Sequence, residues 1–157
     1  MTQTVVFVNT KKFAEMLHNM MRKEKYKSTI IFGDMDWSER DEMIAKFKSG
    51  EVSVIITTNM LARGIDVPEV QIVLNFDVPT MGPRTQKVGD AENYLHRIGR
   101  TGRFGTQGLA ITIYDRDEDK SYLDQIVDHF KMQDKVTTLT SPEQLKALLD
   151  EINASGI

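Results

Sequence analysis

The chain has no cysteine among its 157 residues. That excludes disulfides and thiolate metal sites, and it suits a reducing compartment. No apolar run approaches the roughly 20 residues that a membrane helix requires. The start, Met1-Thr2-Gln3-Thr4, lacks the basic region and cleavage site of a secretory leader. It runs straight into the apolar stretch Val5-Val6-Phe7-Val8, so the expected origin of this end is a cut at a domain boundary. An excess of positive charge is also missing. The formal net charge is −3 and the isoelectric point is near 5.6. Any nucleic-acid contact must therefore rest on a local patch. There is no G-x-x-x-x-G-K-[ST] phosphate loop. Internal repeats and low-complexity segments are absent as well.

What is present is an alternation of two patterns. Thr4–Val8, Thr29–Phe32, Val52–Thr57, Ile72–Asn75 and Leu109–Tyr114 are short, mostly β-branched apolar runs that read as strands. Between them lie stretches of helical spacing. Phe13, Met16, Leu17, Met20 and Met21 mark a helix over Lys11–Lys23. Ser38 and Asp41 resemble a capping box for a second helix, with Met43, Ile44 and Phe47 on its apolar face and Gly50 as its stop. Ala91–Arg100 reads as a third helix, and Tyr122, Leu123, Ile126, Val127 and Phe130 mark a fourth. Val136–Leu139 is a candidate last strand. Ser141-Pro142-Glu143-Gln144 is a helix start, with Leu145, Leu148, Leu149 and Ile152 as its face. One stretch breaks the rhythm: Pro79–Asp90, with its two prolines and two glycines, reads as an exposed loop of about a dozen residues.

Strands alternating with helices imply a single α/β domain over 1–157, a mostly parallel sheet with helices on both faces. Ligands of such sheets sit at the carboxyl ends of the strands. Asn9-Thr10, Gly33-Asp34, Thr57-Thr58-Asn59 and Asp77 fall at those ends. The densest chemistry lies in His96-Arg97-Ile98-Gly99-Arg100-Thr101-Gly102-Arg103, with Arg63 earlier in the chain. Three arginines interleaved with glycines suit an anion, because the guanidinium is always charged and presents a rigid donor fork. Arg97 and Arg100 share one face if the helix runs that far. The plainer alternative is a solvated basic helix end.

The run HRIGRTGR at 96–103 resembles motif VI of the DEAD-box helicases. Thr57 to Asp66 (TTNMLARGID) resembles motif V, Val5–Thr10 resembles motif IV, and Gly33-Asp34-Met35 with Arg40 resembles the segment after it. Val73–Pro79 resembles the strand following motif V. The motifs stand in family order over about residues 4 to 140. The resemblance implies the second, RecA-like three-layer domain of an ATP-dependent RNA helicase. Arg100 and Arg103 would then be arginine fingers on the γ-phosphate of ATP, with Asp66 on the ribose and Gly64 allowing close backbone approach. His96 and Arg97 would couple ATP state to the partner domain. Thr10, Gly33, Arg40, Thr58 and Gly64 would lie on the RNA backbone. Each position has a plainer alternative: a capped or core His96, Thr10 as a helix N-cap, Arg40 paired with Asp36 or Glu39.

The sequence departs from the common family pattern at Asn59 (often Asp), Phe32 (often His) and Trp37 (usually Gln). Trp37 could pack beneath its helix or stand as a surface aromatic. The Asp-Glu-Ala-Asp box is absent, like the phosphate loop, so the resemblance implies half an enzyme. No metal ligand is expected here, since magnesium would be held by the first domain, and the chain alone should lack ATPase activity. Motif V and the long loop after Asp77-Val78-Pro79 are similar to the nuclear-pore-associated helicase of mRNA export. That implies RNA and the first RecA-like domain as partners, and a nuclear-pore activator with inositol hexakisphosphate. It also implies a monomer off the membrane, in cytoplasm and nucleus or at the cytoplasmic face of the pore. Alternatives are a translation-initiation-type helicase domain, a stand-alone RNA- or protein-binding module, and a DNA translocase.

Overall fold

The computed structural model describes residues 2–58, 70–102 and 108–154. Five strands form one sheet: β1 (Thr4–Val8), β2 (Ser28–Ile31), β3 (Val54–Thr58), β4 (Ile72–Asn75) and β7 (Leu109–Thr112). Their order is β2-β3-β1-β4-β7, and every pairing is parallel. β1 lies at the centre, with Val6 opposite Ile56 on one side and Leu74 on the other. Being covered on both faces, it has no polar alternation, which is why Val5–Val8 reads as a continuous apolar run.

The pleat sends alternate residues of β1 into two separate cores. Val5 and Phe7 meet Ile31, Ile55 and Val73 on the face covered by helix α2 (Trp37–Lys48), through Phe47, Met43 and Ile44. Val6 and Val8 meet Ile56 on the opposite face, under Ala14, Phe13 and Leu17 of helix α1 (Lys11–Lys23). Each fully buried Ile or Phe contributes roughly 1.5–3 kcal/mol. The layers are helix, sheet, helix, as expected from the alternating pattern, and the RecA-like arrangement that the resemblance implies. A third cluster joins Val78, Tyr94 of α3 (Ala91–Ile98), and Tyr122 and Ile126 of α4 (Asp117–Phe130).

The structure departs from the expectations at four places. First, Ser38 and Asp41 make no capping box. Helix α2 begins at Trp37 with Asp36 as N-cap and without a side-chain cap bond, so Ser38 is already inside the first turn. Second, α3 ends at Ile98, because Gly99 takes φ −66° and ψ 5° as its C-cap. Arg97 and Arg100 therefore do not share a helical face. Third, Val136–Leu139 is not a strand. Val136 and Thr138 line a hollow with Tyr114, Leu123 and Val127, so the segment lies over α4 rather than along a sheet edge. Helix α5 (Pro142–Ala154) follows, and Ser141 Oγ accepts from Gln144 N at 3.3 Å as its cap. Fourth, the segment Pro79–Asp90 is exposed over 81–88 as expected, but it is an antiparallel hairpin and not an unstructured loop: β5 (Thr80–Met81) pairs with β6 (Val88–Gly89), and Gly82 turns at φ 96°. It is tied down: Gly89 N donates to Gln125 Oε1 at 3.0 Å, and Asp90 N to Pro79 O at 2.9 Å.

Candidate functional site

The carboxyl ends of β2, β3 and β1 are neighbours, so the turns that leave them form one edge. Thr10 follows β1, Gly33 follows β2, and Thr58 closes β3. Lys11 and Asp34 form an ion pair that ties the first two turns together. Thr10 Oγ1 accepts from Phe13 N at 3.2 Å, so this hydroxyl is the N-cap of α1. Thr58 is buried, beside a Thr57 whose Oγ1 donates to Ile31 O at 2.8 Å.

Arg40 stands one turn into α2, close to the same edge, and is only 7% exposed. Among the described residues it makes no ion pair with Asp36 or Glu39, and its Nε has no hydrogen-bond partner. Its guanidinium lies over the ring of Trp37, 4.5 Å from the centroid. Trp37 itself is 74% exposed, so it does not pack beneath the helix. A nearly buried cation without a carboxylate is a strong anion seeker, because burial removes the water that would otherwise solvate it.

A second cluster lies where β1 and β4 end. Arg97 is completely buried on the inner face of α3. Its Nη1 donates to Asp77 O at 2.9 Å and to Asn75 Oδ1 at 3.3 Å, and its Nη2 donates to Asn9 Oδ1 at 2.9 Å. The guanidinium also lies over Phe7, 5.4 Å from the ring centroid. Burial pulls its pKa down to about 10, against the attraction of Asp77 and Asp90. It remains charged at neutral pH. Asp77 Oδ2 accepts from Asn9 N at 3.0 Å. Burial pushes the Asp77 carboxyl above its ordinary range, opposed by that bond and by Arg97. Arg97 thus pins helix α3 to the ends of two central strands from inside.

The remainder of the arginine run sits elsewhere. His96 is half-buried, and its Nδ1 has no partner among the described residues. Beyond Gly99 the chain turns past the start of β4: Val70 N donates to Arg100 O at 3.1 Å, and Thr101 Oγ1 to Gln71 O at 3.1 Å. Arg100 is therefore at the opposite end of β4 from Asn75 and Asp77. Thr10, Gly33 and Thr58 stand at strand carboxyl ends, and Arg100 does not. Gly108 packs so tightly here that a Cβ would come 1.9 Å from Thr101 Oγ1 and 2.5 Å from Gly102 N. Arg63, Gly64, Asp66 and Arg103 lie outside the described residues.

Sequence reasoning missed Asn9 and Asn75 as partners of Arg97. The signal existed: Arg97 follows Tyr94 by three, which puts it on the buried face of α3. Two asparagines also end apolar strands, at Val8-Asn9 and Leu74-Asn75.

Residues 1–105 match the family described as the helicase conserved C-terminal domain. A solved structure of the C-terminal domain of the DEAD-box protein Dbp5 superposes with a TM-score of 0.76 at 41% identity, covering 82% of this chain and 70% of that one. The chain belongs to the DEAD-box helicases, as a C-terminal RecA-like domain. Initiation factor 4A-1 of Arabidopsis thaliana is 46% identical over 123 residues, 78% of this chain and 28% of that protein. The ATP-dependent RNA helicase DBP5 of Phaeosphaeria nodorum is 46% identical over 133 residues, 83% of this chain and 28% of that protein. The chain thus spans little more than a quarter of the length of these curated relatives.

Two further neighbours carry ligands. S. cerevisiae Dbp5 bound to RNA and ADP BeF3 gives a TM-score of 0.74 at 41% identity, over 82% of this chain and 32% of that one. The C-terminal domain of a Dbp5 variant from the same yeast, bound to a Gle1 variant and IP6, gives 0.77 at 32% identity, over 97% and 83%.

Proposed function

We propose that this domain is the second half of an ATP-dependent RNA helicase, and that its two ends serve two ligands. The observation that carries the reading is the nearly buried guanidinium of Arg40, which pairs with no carboxylate among the described residues, at an edge shared with Thr10, Gly33 and Thr58. An RNA sugar-phosphate backbone supplies the missing anions. Contacts to the backbone make the grip largely independent of sequence. We assign Gly64 to the same path.

Arg100 and Arg103 face the nucleotide. The segment Gly99–Gly102 carries Arg100 and no carboxylate, a donor set that suits a polyphosphate. Arg100 and Arg103 would hold the γ-phosphate, Asp66 the ribose, and Gly64 would admit the backbone close to it. ATP supplies the phosphoryl group whose transfer to water drives the cycle. The two guanidinium groups offset charge that develops on that group, and they reach it only when the two domains close. Magnesium falls to the first domain. His96 and the pinned Arg97 hold α3 so that closure at one end is felt at the other.

We place the whole protein in mRNA export, with an activator of the Gle1 kind and inositol hexakisphosphate as regulators. It would act as a monomer in cytoplasm and nucleus, reaching the cytoplasmic face of the pore. The likeness to Dbp5 domains over nearly the whole chain, and the tied-down hairpin at 80–89, support this. A translation-initiation role is the second reading, favoured by the 46% identity to initiation factor 4A-1.

The decisive assay is RNA-stimulated ATP turnover by the full-length protein. Arg100→Ala and Arg103→Ala should each lower it by roughly 10³-fold, and unchanged turnover refutes the finger assignment. Stimulation by a Gle1-type activator with inositol hexakisphosphate separates export from initiation.

A further inference from the structure

Trp37 is the most exposed large apolar side chain among the described residues. Nothing in the packing accounts for it. Helix α2 buries Arg40 and Phe47, and Trp37 joins neither sheet core. Its one contact of note is the Arg40 guanidinium over its ring. That contact covers one π-face and leaves most of the indole open.

The two side chains together have a particular chemistry. Arg40 offers a nearly buried cation with an unpartnered Nε. Trp37 offers a flat aromatic surface directly beside it. Of the nearby acids, Asp34 is paired with Lys11, and Asp36 and Glu39 make no ion pair with Arg40 among the described residues. An anion next to a flat π-system is what one nucleotide unit presents, as phosphate and base. An aromatic platform beside a basic groove is also how proteins hold single strands without reading their sequence.

We propose that Trp37 is a nucleobase-stacking platform, which holds by its base the nucleotide whose phosphate Arg40 binds. The inference rests on the RNA-edge reading above and adds a contact to the base. The RNA is then held at this step by two groups rather than one. The Arg40 guanidinium on the inner face fixes the indole plane, so the outer face is ready for a base without reordering the side chain. Adenine and guanine, with the larger ring systems, gain most from it.

The chain carries one tryptophan, so its fluorescence reports Trp37 alone. The test titrates this chain with short oligoriboadenylate and with an abasic ribose-phosphate strand of the same length. Stacking predicts quenching by the adenine strand alone. It predicts roughly tenfold tighter binding of that strand than of the abasic one. Trp37→Leu, which keeps an apolar cover on Arg40 but has no π-face, should remove the difference. Trp37→Phe should restore much of it, and Arg40→Ala should weaken both strands.

Equal affinity for the two strands, unchanged by Trp37→Leu, overturns the platform and leaves the backbone grip standing. Failure of either strand to bind, in wild type and Arg40→Ala alike, overturns the RNA edge and the platform with it. If Trp37→Leu abolishes capture of a protein partner while both strands bind as before, the indole is a protein contact and the inference is wrong.

Discussion

Removing the Arg97 side chain should cost more stability than any other single change near the site. Arg97→Ala leaves Asn9 Oδ1, Asn75 Oδ1 and the carbonyl of Asp77 without their donor; Asn75 is fully buried, Asp77 partly so, and Asn9 is exposed. It also strips Asp77 of the cation that opposes its burial. Deleting one partner of a buried charged network costs about 3–5 kcal/mol. The buried acceptor Asn75 Oδ1 alone accounts for roughly 1–3 kcal/mol of this, before any loss of packing against Phe7. Domains of this size hold only about 5–15 kcal/mol in total. The expected shift in Tm is on the order of 10 °C, at roughly 2–4 °C per kcal/mol. Urea unfolding of wild type, Arg97→Ala and Arg97→Met provides the comparison. Methionine keeps much of the volume but none of the donors, so it should recover little. A loss below about 1 kcal/mol for Ala, or near-complete recovery with Met, would show that the hydrogen-bond network does not hold α3 in place.

Other perturbations test neighbouring parts of the same scheme. The Asp77 carboxyl is raised above its ordinary value in the folded state, so the folded protein binds more protons across that window. Its stabilising contribution is fully present below the unfolded value and is lost as pH rises through the raised folded one. The stability difference between wild type and Asp77→Asn should therefore change across that window, and carboxyl NMR should show Asp77 titrating late. Gly108→Ala would push a Cβ into Thr101 and Gly102 and displace the turn between Arg100 and Arg103. We expect a loss of about 1–3 kcal/mol in urea unfolding, with ATP turnover of the full-length protein falling further than stability alone explains. Gly89→Ala would set a Cβ 2.3 Å from Tyr122 O and 2.9 Å from Ile126 Cγ1. It should lift the hairpin from α4, read as faster hydrogen exchange at Val88 and Asp90 while the exchange of β1 stays unchanged.

Much of the fold was legible because its signals are local. The strand Ile72–Asn75 and the helix Lys11–Lys23 match their expected bounds, since a β-branched run and a strong apolar stripe each specify one conformation. What failed depended on partners far along the chain. Val136–Leu139 has strand-like residues, yet it lies over α4 and meets no sheet edge. Ser38 has capping chemistry, yet the helix starts before it, at Trp37. The hairpin in 79–90 was hidden because its strands are two residues each and its anchor, Gln125, is 36 residues from Gly89. The candidate site divides in the same way. Thr10, Gly33 and Thr58 fall on one edge because strand order alone brings their turns together. That Arg40 pairs with no acid among the described residues, and that Trp37 stacks on it, depends on how α2 sits, which spacing does not encode.

The position of Arg100 bears on how two ligands can be coupled. If RNA binds at the carboxyl edge and the nucleotide binds at the turn beside Val70, the two sites lie at opposite ends of β4. Helix α3 spans that distance. Asp90 caps its start by accepting from Asn93 N at 3.0 Å, Arg97 in its last turn fixes it to Asn9, Asn75 and Asp77, and Gly99 ends it just before Arg100. A helix pinned so close to Arg100 transmits a displacement instead of absorbing it. Asn9 is the residue before Thr10, and its backbone N–H and side chain are both engaged in the Asp77–Val78–Arg97 cluster. A shift at the Arg100 turn would therefore reach the RNA edge through Arg97 and Asn9. This predicts that Asn9→Ala, which spares Arg100 and the nucleotide contacts, uncouples the two. ATP turnover by the full-length protein without RNA should be retained, while its stimulation by RNA should fall several-fold. An equal loss with and without RNA would place the effect in stability and not in coupling.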